Sequence, residues 1–329
     1  MREIARRAGV SLAAVSAVVN NADHTRMSAA TRERVENVIA ELGYVPNQAA
    51  RSLRRRVTGT LALVLHKSDN PVLHETVHGV HVAAAEFGRS VILGDAQWFT
   101  PGGSLLSQLL GEGVVDGIVV HTPGALDADV LRELRRHPRP VVAMENMGEG
   151  LWVAIDDVEA GRLATQHLID LGHRSIAWAG DPEARQNRLR RHGYARALRA
   201  AGLHEVDLPG EFGYAAGRGV VDALTRLDPR PTAVVAHAST AIGVIGAAFD
   251  SGLAVPGDLS VVGIHDLDVA EHVRPALTCV RAPLFELGVR AVRLTHAAIA
   301  GEPVENDVIT DVPNTLVVRD STAAPPTTR

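Results

Sequence analysis

The sequence predicts a small all-α head followed by an α/β body of two lobes, each built on a doubly wound parallel sheet. Three observations lead to this fold class. Residues 1–44 show helical periodicity with start and stop signals for each segment. From residue 60 onward, short apolar runs of strand length alternate with segments long enough for helices. At roughly 270 residues, this body is too long for one doubly wound sheet, so two lobes are expected.

The head is predicted to form three short helices. The first is "REIARRA", the turn Gly9-Val10 follows, and Ser11 is a suitable N-cap for a second helix that runs to Asn20. Ser28 caps the third helix, whose apolar positions recur at helical spacing until Gly43 ends it. The first two helices and their turn have the spacing of a helix-turn-helix, a motif that places its second helix in a DNA major groove.

The segment after the head, residues 45–58, is predicted to be a hinge and linker. Pro46 interrupts the chain, one or two helical turns fit over residues 47–54, and "RRRVTGT" is typical of a linker. The first 58 residues carry ten arginines against five acidic residues, whereas the whole chain has a net charge of −5. A basic head on an acidic body indicates a polyanion as the partner of the head.

Seven apolar runs of the body predict buried parallel strands. They are "TLALVL", "SVILGDA", "VDGIVVH", "RPVVAME", "SIAWAGD", "TAVVAH" and "LSVVGIHD". Ligands of such sheets bind beyond the carboxyl ends of the strands.

Composition excludes several classes of protein. Cys279 is the only cysteine, so the chain cannot form an internal disulfide and a reducing compartment is expected. No secretory signal is evident and no apolar stretch approaches the roughly 18 residues of a membrane span, which predicts a cytoplasmic protein without a membrane partner. His74, His78 and His81 could line one helix face, but no further ligands accompany them, so no metal site is predicted. No cofactor and no catalytic residues are predicted either, because phosphate-loop spacing and a catalytic triad are both absent.

Longer motifs run through almost the whole chain. They begin with "AGVSLAAVSAVVN" and "SAATRERVENVIAELGYVPNQAARSL" and continue with "HLIDLGHRSIAWAGDP", "VPGDLSVVGIHD" and "LVVRDSTAAP". Together they resemble the lactose/galactose repressor family of bacterial transcription factors. The resemblance implies a helix-turn-helix DNA-binding domain over 1–44, a hinge helix and linker over 45–58, a periplasmic-binding-protein-like body over 59–320 and a disordered tail over 321–329. The N-lobe would comprise about 59–155 plus 283–311, and the C-lobe about 156–282 plus 312–320.

The resemblance also implies a set of DNA-contacting residues in the head and hinge. They are Ser11, Leu12, Ala13, Ser16, Asn20, Ser28, Tyr44, Asn47, Ala50, Arg51, Leu53 and Arg54. Leu53 would wedge between base steps and kink the duplex from the minor groove. Ala14 and Ala17 stand where the family carries Thr and Arg, which removes a phosphate donor and a cation. Because Met1 falls inside the first helix, we expect either a start further upstream or a frayed first helix.

For the body, the resemblance implies an effector cleft between the two lobes. Its expected residues are Val72, Leu73, Glu145, Arg190, His237 and His265. His265 replaces an aspartate that accepts sugar hydroxyls in the family, so two imidazoles and Arg190 suggest a partly anionic ligand such as a sugar acid or sugar phosphate. Two alternatives stay open: Arg190 as a solvated helix residue, and His265 as a core or surface residue.

The function that the resemblance implies is a ligand-responsive, sequence-specific transcriptional regulator rather than an enzyme. It would repress carbohydrate or related metabolic genes by binding double-stranded, pseudo-palindromic operator DNA as a homodimer, with a sugar or sugar derivative as effector. The C-terminus has no leucine heptads, which favours a dimer over a tetramer. The alternative is a cytoplasmic small-molecule sensor with a degenerate DNA-binding head, because the base-facing positions Leu12 and Ala13 are apolar. Operator, effector and direction of response are not predicted.

Overall fold

The structure is a computed structural model that describes residues 1–19, 27–44, 57–66, 70–100, 103–109, 111, 114–121, 128–145, 148–208 and 210–326. The chain divides into two compact units, Met1–Thr58 and Gly59–Arg329. No helix in the described ranges is both long and apolar enough to cross a membrane.

The first unit contains the three predicted helices: α1 (Arg2–Ala8), α2 (Leu12–Val19) and α3 (Ala29–Glu41). Gly9 ends α1 in the left-handed conformation at φ 63°, which a glycine adopts without steric cost. The hydroxyl of Ser11 accepts the Ala14 amide at 3.1 Å, and that of Ser28 accepts the Thr31 amide at 3.2 Å, so both predicted N-caps are confirmed. A small apolar core joins the three helices, formed by Ile4, Ala8, Val15, Val18, Val35 and Val38.

The second unit alternates strands and helices along its described part. Its elements in chain order are β1 (Thr60–Leu65), α4 (Leu73–Glu86), β2 (Ser90–Asp95), α5 (Ser104–Leu109), β3 (Gly117–His121), α6 (Ala128–Arg136), β4 (Val141–Ala143), β5 (Leu151–Ile155), α7 (Asp157–Asp170), β6 (Ile176–Ala179), α8 (Arg185–Ala200), β7 (Val206–Leu208), α9 (Ala216–Thr225), β8 (Ala233–His237), α10 (Ala238–Asp250), β9 (Ser260–Ile264), β10 (Thr278–Arg281), α11 (Leu284–Ala300), β11 (Asp307–Ile309) and β12 (Thr315–Val317). The predicted alternation is confirmed.

These strands form two six-stranded sheets, one in each lobe. The N-lobe sheet has the order β11-β5-β4-β3-β1-β2, and all its strand pairs are parallel. The C-lobe sheet has the order β12-β10-β9-β8-β6-β7 and is parallel except for β12, which runs antiparallel to β10. The chain crosses between the lobes after β5, after β10 and again between β11 and β12. The predicted two-lobed α/β fold is therefore confirmed, with one antiparallel edge strand in the C-lobe.

Both sheets are covered on two faces, because successive residues of a strand point to opposite sides. In β1, Leu61 and Leu63 pack in one cluster with α4 and α11, whereas Ala62 and Val64 pack in another with Leu106 of α5. In β6 of the C-lobe, the cluster of Ile176 includes residues of α7 and α8, and the opposite face packs against α9 and α10. Continuous apolar strands are thus the expected sequence for these sheets.

Two pairs of helices cross at glycines with their backbones in close contact. A Cβ atom added to Gly79 of α4 would overlap the backbone oxygen of Phe285 in α11. In the C-lobe, a Cβ atom on Gly161 of α7 would overlap the backbone oxygen of Arg190, and one on Gly193 of α8 would overlap that of Val158. The absence of side chains at these positions is what allows α7 and α8 to lie so near each other.

The C-terminal segment differs from the prediction of a disordered tail over 321–329. Ser321 is fully buried; its hydroxyl donates to the Val261 carbonyl at 2.6 Å and accepts the Thr278 amide at 2.8 Å. His173 lies 2.9 Å from the Ala323 carbonyl through its Nε2. Residues 321–326 therefore belong to the C-lobe, because hydrogen bonds to buried strands hold a segment whose composition suggests disorder.

Candidate functional site

A cavity of about 210 Å³ lies between the two lobes. Its polar residues follow the carboxyl ends of strands: His121 ends β3, Glu145 follows β4, His237 ends β8 and His265 follows β9. This is where ligands bind in parallel α/β sheets. The cavity is lined by both lobes, and its walls include Asn70, Val72, Leu73, His121, Met144, Glu145, Asp156, Asp157, Arg185, Gln186, Arg190, Phe212, His237, His265, Leu284, Leu287 and Val308. The six residues of the predicted effector site all line it.

Arg190 is the centre of a buried polar network in the cavity wall. Its side chain is 6% exposed, and Nε donates to Oδ1 of Asp157 at 2.7 Å. Nη2 lies 2.9 Å from Nε2 of His265. The close crossing of α7 and α8 at Gly161 and Gly193 brings Asp157 within reach of Arg190. The alternative of a solvated helix arginine at this position is therefore wrong.

Burial and the charge of Arg190 act on the titratable groups around it. Burial raises the pKa of Asp157, while the adjacent guanidinium of Arg190 opposes that rise. Desolvation lowers the pKa of His121 to about 4 and that of His237 to about 3, and the positive Arg190 adds to both effects. The same two causes hold the pKa of His265 well below its ordinary value. These lowered pKa values favour the neutral form of all three imidazoles at pH 7.

A second buried pair joins the two lobes across the cavity. Gln186 on α8 of the C-lobe donates from Nε2 to Oε2 of Glu145, which follows β4 of the N-lobe, at 2.5 Å. Both side chains are buried, at 8% and 6% exposure. A hydrogen bond to a charged group is stronger than a neutral one, so this contact favours the arrangement in which the lobes enclose the cavity.

The N-lobe supplies a largely apolar wall. Val72 and Leu73 at the start of α4, and Leu284 and Leu287 at the start of α11, face the cavity and are brought together by the crossing of these two helices. On the C-lobe side, the ring of Phe212 packs edge-on against His237 with 4.7 Å between the ring centroids. The cavity therefore offers an apolar surface opposite a polar one, which suits a ring with hydroxyl groups or heteroatoms at its edge.

In the head, the predicted base-facing residues lie at the exposed start of α2. Leu12 is 48% exposed and Ala13 is also exposed, whereas the apolar Val15 and Val18 on the same helix are buried in the head core. Ser28 is exposed at the start of α3, while Ser16 and Tyr44 are partly buried. Ser11, whose hydroxyl caps α2, is also exposed. The remaining predicted DNA contacts lie outside the described residues: Asn20, Asn47, Ala50, Arg51, Leu53 and Arg54.

Comparison with known proteins connects both units to one group. Residues 1–47 match the family described as bacterial regulatory proteins, lacI family, and residues 165–322 match a periplasmic binding protein-like domain. Catabolite control protein A of Priestia megaterium is 34% identical over 330 residues, covering 97% of this chain and 98% of that protein. The chain belongs to the LacI family. The ribose operon repressor of Escherichia coli (strain K12) is 34% identical, covering 89% of this chain and 90% of that repressor.

Solved structures of LacI-family proteins agree with the fold. A lac repressor dimer bound to operator and the anti-inducer ONPF superposes with a TM-score of 0.86 at 26% identity, covering 98% of each chain. The transcriptional regulator CelR, solved with cellobiose, has a TM-score of 0.73 at 34% identity and covers 97% of this chain and 98% of its own. The predicted family, fold class and function as a transcriptional regulator rather than an enzyme are confirmed. The alternative of a sensor with a degenerate head is not favoured, because the LacI-family match includes the head.

Several cavity residues of this LacI-family protein were missed by the sequence analysis. Asp157 and Gln186 take part in the buried networks, and His121 and Phe212 complete the walls. A signal for His121 was available, since it ends a predicted strand, as His237 does. The hypothesis of a partly anionic ligand stays a prediction. Arg190 already contacts Asp157, whereas Arg185 lines the cavity with a buried Nε that has no hydrogen-bond partner among the described residues. Within the described residues, no group of three metal-ligating side chains is placed to hold a metal ion.

Proposed function

We propose that this protein is a cytoplasmic repressor of carbohydrate or related metabolic genes whose operator affinity changes when a sugar or sugar derivative occupies the cleft. The observation that carries this proposal is the cavity between two lobes that are bridged by the Glu145–Gln186 hydrogen bond. A ligand there would contact both lobes and so stabilise one arrangement of them over others. Solved relatives support the effector class, since one contains cellobiose and another ribose.

The head would bind operator DNA through α2. Ser11, Ser16 and Asn20 are proposed to hold the helix on the phosphates, and Leu12 and Ala13 to contact base edges, where they can only recognise shape and thymine methyl groups. The exposure of Leu12 supports this assignment. Ser28 and Tyr44 are proposed as further phosphate contacts, and the hinge residues Asn47, Ala50, Arg51, Leu53 and Arg54 as minor-groove contacts.

Operator DNA with two half-sites would require two heads, so we propose a homodimer. Two sets of exposed apolar side chains support it. Ile92 and Leu93 on the edge strand β2, with Trp98 just after it, are 38%, 58% and 67% exposed, and Phe249 near the end of α10 is 83% exposed. The lac repressor structure among the relatives is itself a dimer on operator.

A mobility-shift experiment tests the proposed function directly. We expect the full-length protein to shift the DNA upstream of its own gene, with two protomers per duplex and an affinity that falls steeply as salt rises. Random DNA of equal length is the control. A protein that never distinguishes the two DNAs, at any salt concentration, would be a sensor and not a repressor.

Leu53→Ala should reduce operator discrimination more than Ala17→Ser does. With an apolar base-facing surface on α2, specificity depends on DNA deformability and on the kink that Leu53 is proposed to make. We expect Leu53→Ala to lower the ratio of operator to non-specific affinity by roughly tenfold or more, the scale of one lost specific contact. Fluorescence anisotropy with both duplexes measures this ratio. Equal losses from the two variants would contradict the proposed role of the hinge.

A further inference from the structure

His265 occupies the cavity wall in an unusual state. Its side chain is 3% exposed, and its backbone has a φ of 75°, a left-handed value that no other non-glycine residue among those described adopts. A side chain in this conformation is strained, and such strain persists chiefly where the surroundings hold a functional residue in place. The backbone amide of His265 donates to the Val280 carbonyl at 2.9 Å, which anchors the strained residue to β10.

The position of the His265 proton follows from its contact with Arg190. A guanidinium has only donors, so in the 2.9 Å contact Arg190 Nη2 must donate and His265 Nε2 must accept. The neutral ring therefore carries its proton on Nδ1. That Nδ1–H group is buried and has no hydrogen-bond partner among the described residues. A buried donor without a partner is unfavourable, and an acceptor on a ligand would relieve this.

Other polar side chains near His265 in the cavity wall would also contact a ligand. Gln186 uses its Nε2 on Glu145, so its carbonyl Oε1 is a buried acceptor without a partner among the described residues. Nδ1 of His237 lies 2.9 Å from the Ser239 hydroxyl and 3.4 Å from the Ser239 amide nitrogen. Among the described residues, the cation in direct contact with His265 is Arg190, which is paired with Asp157. Arg185 also lines the cavity, and its buried Nε has no hydrogen-bond partner among the described residues. Besides the His265 donor, the cavity thus presents an amide acceptor and a guanidinium.

We infer that the cleft selects an effector that directs a hydrogen-bond acceptor at Nδ1 of His265, an inference that rests on the proposed ligand-regulated function. An aspartate at this position would require a hydroxyl that donates; the Nδ1–H of His265 requires the opposite, a ring or glycosidic oxygen, a carbonyl or a ring nitrogen. The ring oxygen of a glycoside and the carbonyl of a lactone both meet this condition.

The protonation state can be measured without knowing the effector. In full-length protein with ¹⁵N-labelled imidazoles, long-range ¹H–¹⁵N spectra distinguish Nδ1–H, Nε2–H and imidazolium forms, and His265→Asn or His265→Gln assigns the signals. We expect His265 to be neutral with its proton on Nδ1 from pH 8 to pH 6, and Arg190→Lys to shift it toward the Nε2–H form. An Nε2–H ring or an imidazolium in the wild-type protein at pH 7 would overturn the inference.

Operator binding and the tautomer of His265 are measured independently, so either result can fail without the other. A wild-type protein that shifts operator DNA but has an Nε2–H or charged His265 keeps the proposed function and loses the effector chemistry. A protein with the expected tautomer that does not recognise operator DNA loses the proposed function.

Discussion

Gly193→Ala should destabilise the effector-binding unit by about 3 kcal/mol, at the upper end of what overpacking usually costs. The new Cβ atom would overlap the backbone oxygen of Val158 and lie 2.7 Å from the Arg162 amide nitrogen. Both neighbours are backbone atoms of α7, so neither can relieve the overlap by a change of rotamer, as a side chain could. Urea unfolding followed by tryptophan fluorescence measures the loss, because Trp178 is buried in the cluster that packs against α7 and α8.

Gly219→Ala is the matched control for this prediction. Gly219 also lies inside a helix, α9, but nothing comes within 4 Å of the position of its added Cβ. Alanine there should stabilise the unit by roughly 0.5–1 kcal/mol, because glycine is the weaker helix former. Equal effects of the two substitutions would mean that the α7–α8 crossing tolerates a wider separation than its geometry suggests.

Acidification from pH 7.5 to pH 5 should also destabilise the effector-binding unit strongly. The pKa of His237 is lowered to about 3 in the folded protein, against about 6.5 in the unfolded chain. Between these values the unfolded state binds more protons, so stability falls as the pH falls below 6.5. At pH 5 the loss from His237 alone is about 2 kcal/mol, and His121 and His265 act in the same direction.

His237→Asn isolates one of these contributions. Asparagine is a good N-cap, so the variant keeps the cap that His237 provides to α10 through the Ser239 amide. The raised pKa of Asp157 acts in the opposite direction, since the folded state then binds the proton more tightly, but this effect is common to both proteins. Urea titrations at pH 7.5 and pH 5 should show the variant losing about 2 kcal/mol less than the wild type. Identical losses would show that His237 is protonated in the folded protein.

The fold could be predicted from sequence where the pattern is local. The caps Ser11 and Ser28 and the apolar run of β1 each occupy a few consecutive residues whose chemistry determines their conformation. Five strands were not predicted: β5, β7, β10, β11 and β12. Three of these, β7, β11 and β12, have only three residues each, a length that carries little periodicity. The segment 321–326 was predicted to be disordered from its composition, but Ser321 is held by residues about 40 and 60 positions away.

In the candidate site, too, residue types could be predicted but long-range contacts could not. Its six predicted residues came from resemblance, and all of them line the cavity. The contacts of Arg190 could not be predicted in this way, because Asp157 is 33 positions from Arg190 in the sequence and His265 is 75 positions from it. The hypothesis of an anionic ligand counted Arg190 as a free cation, and only the folded chain brings a carboxylate to it. Residue types predict which groups are present in a site, whereas the charge that a ligand meets depends on long-range pairing.

The repeated crossing of the chain between lobes also has a consequence for biosynthesis. The N-lobe core includes Leu287, Val292 and Ile309, which come from α11 and β11 near the end of the chain. The C-lobe sheet in turn receives its edge strand β12 last. Neither lobe can complete its core on the ribosome until α11, β11 and β12 have been synthesised. Until then, apolar residues of both sheets stay exposed to solvent. Nascent chains in this condition are those most exposed to aggregation and most in need of chaperones.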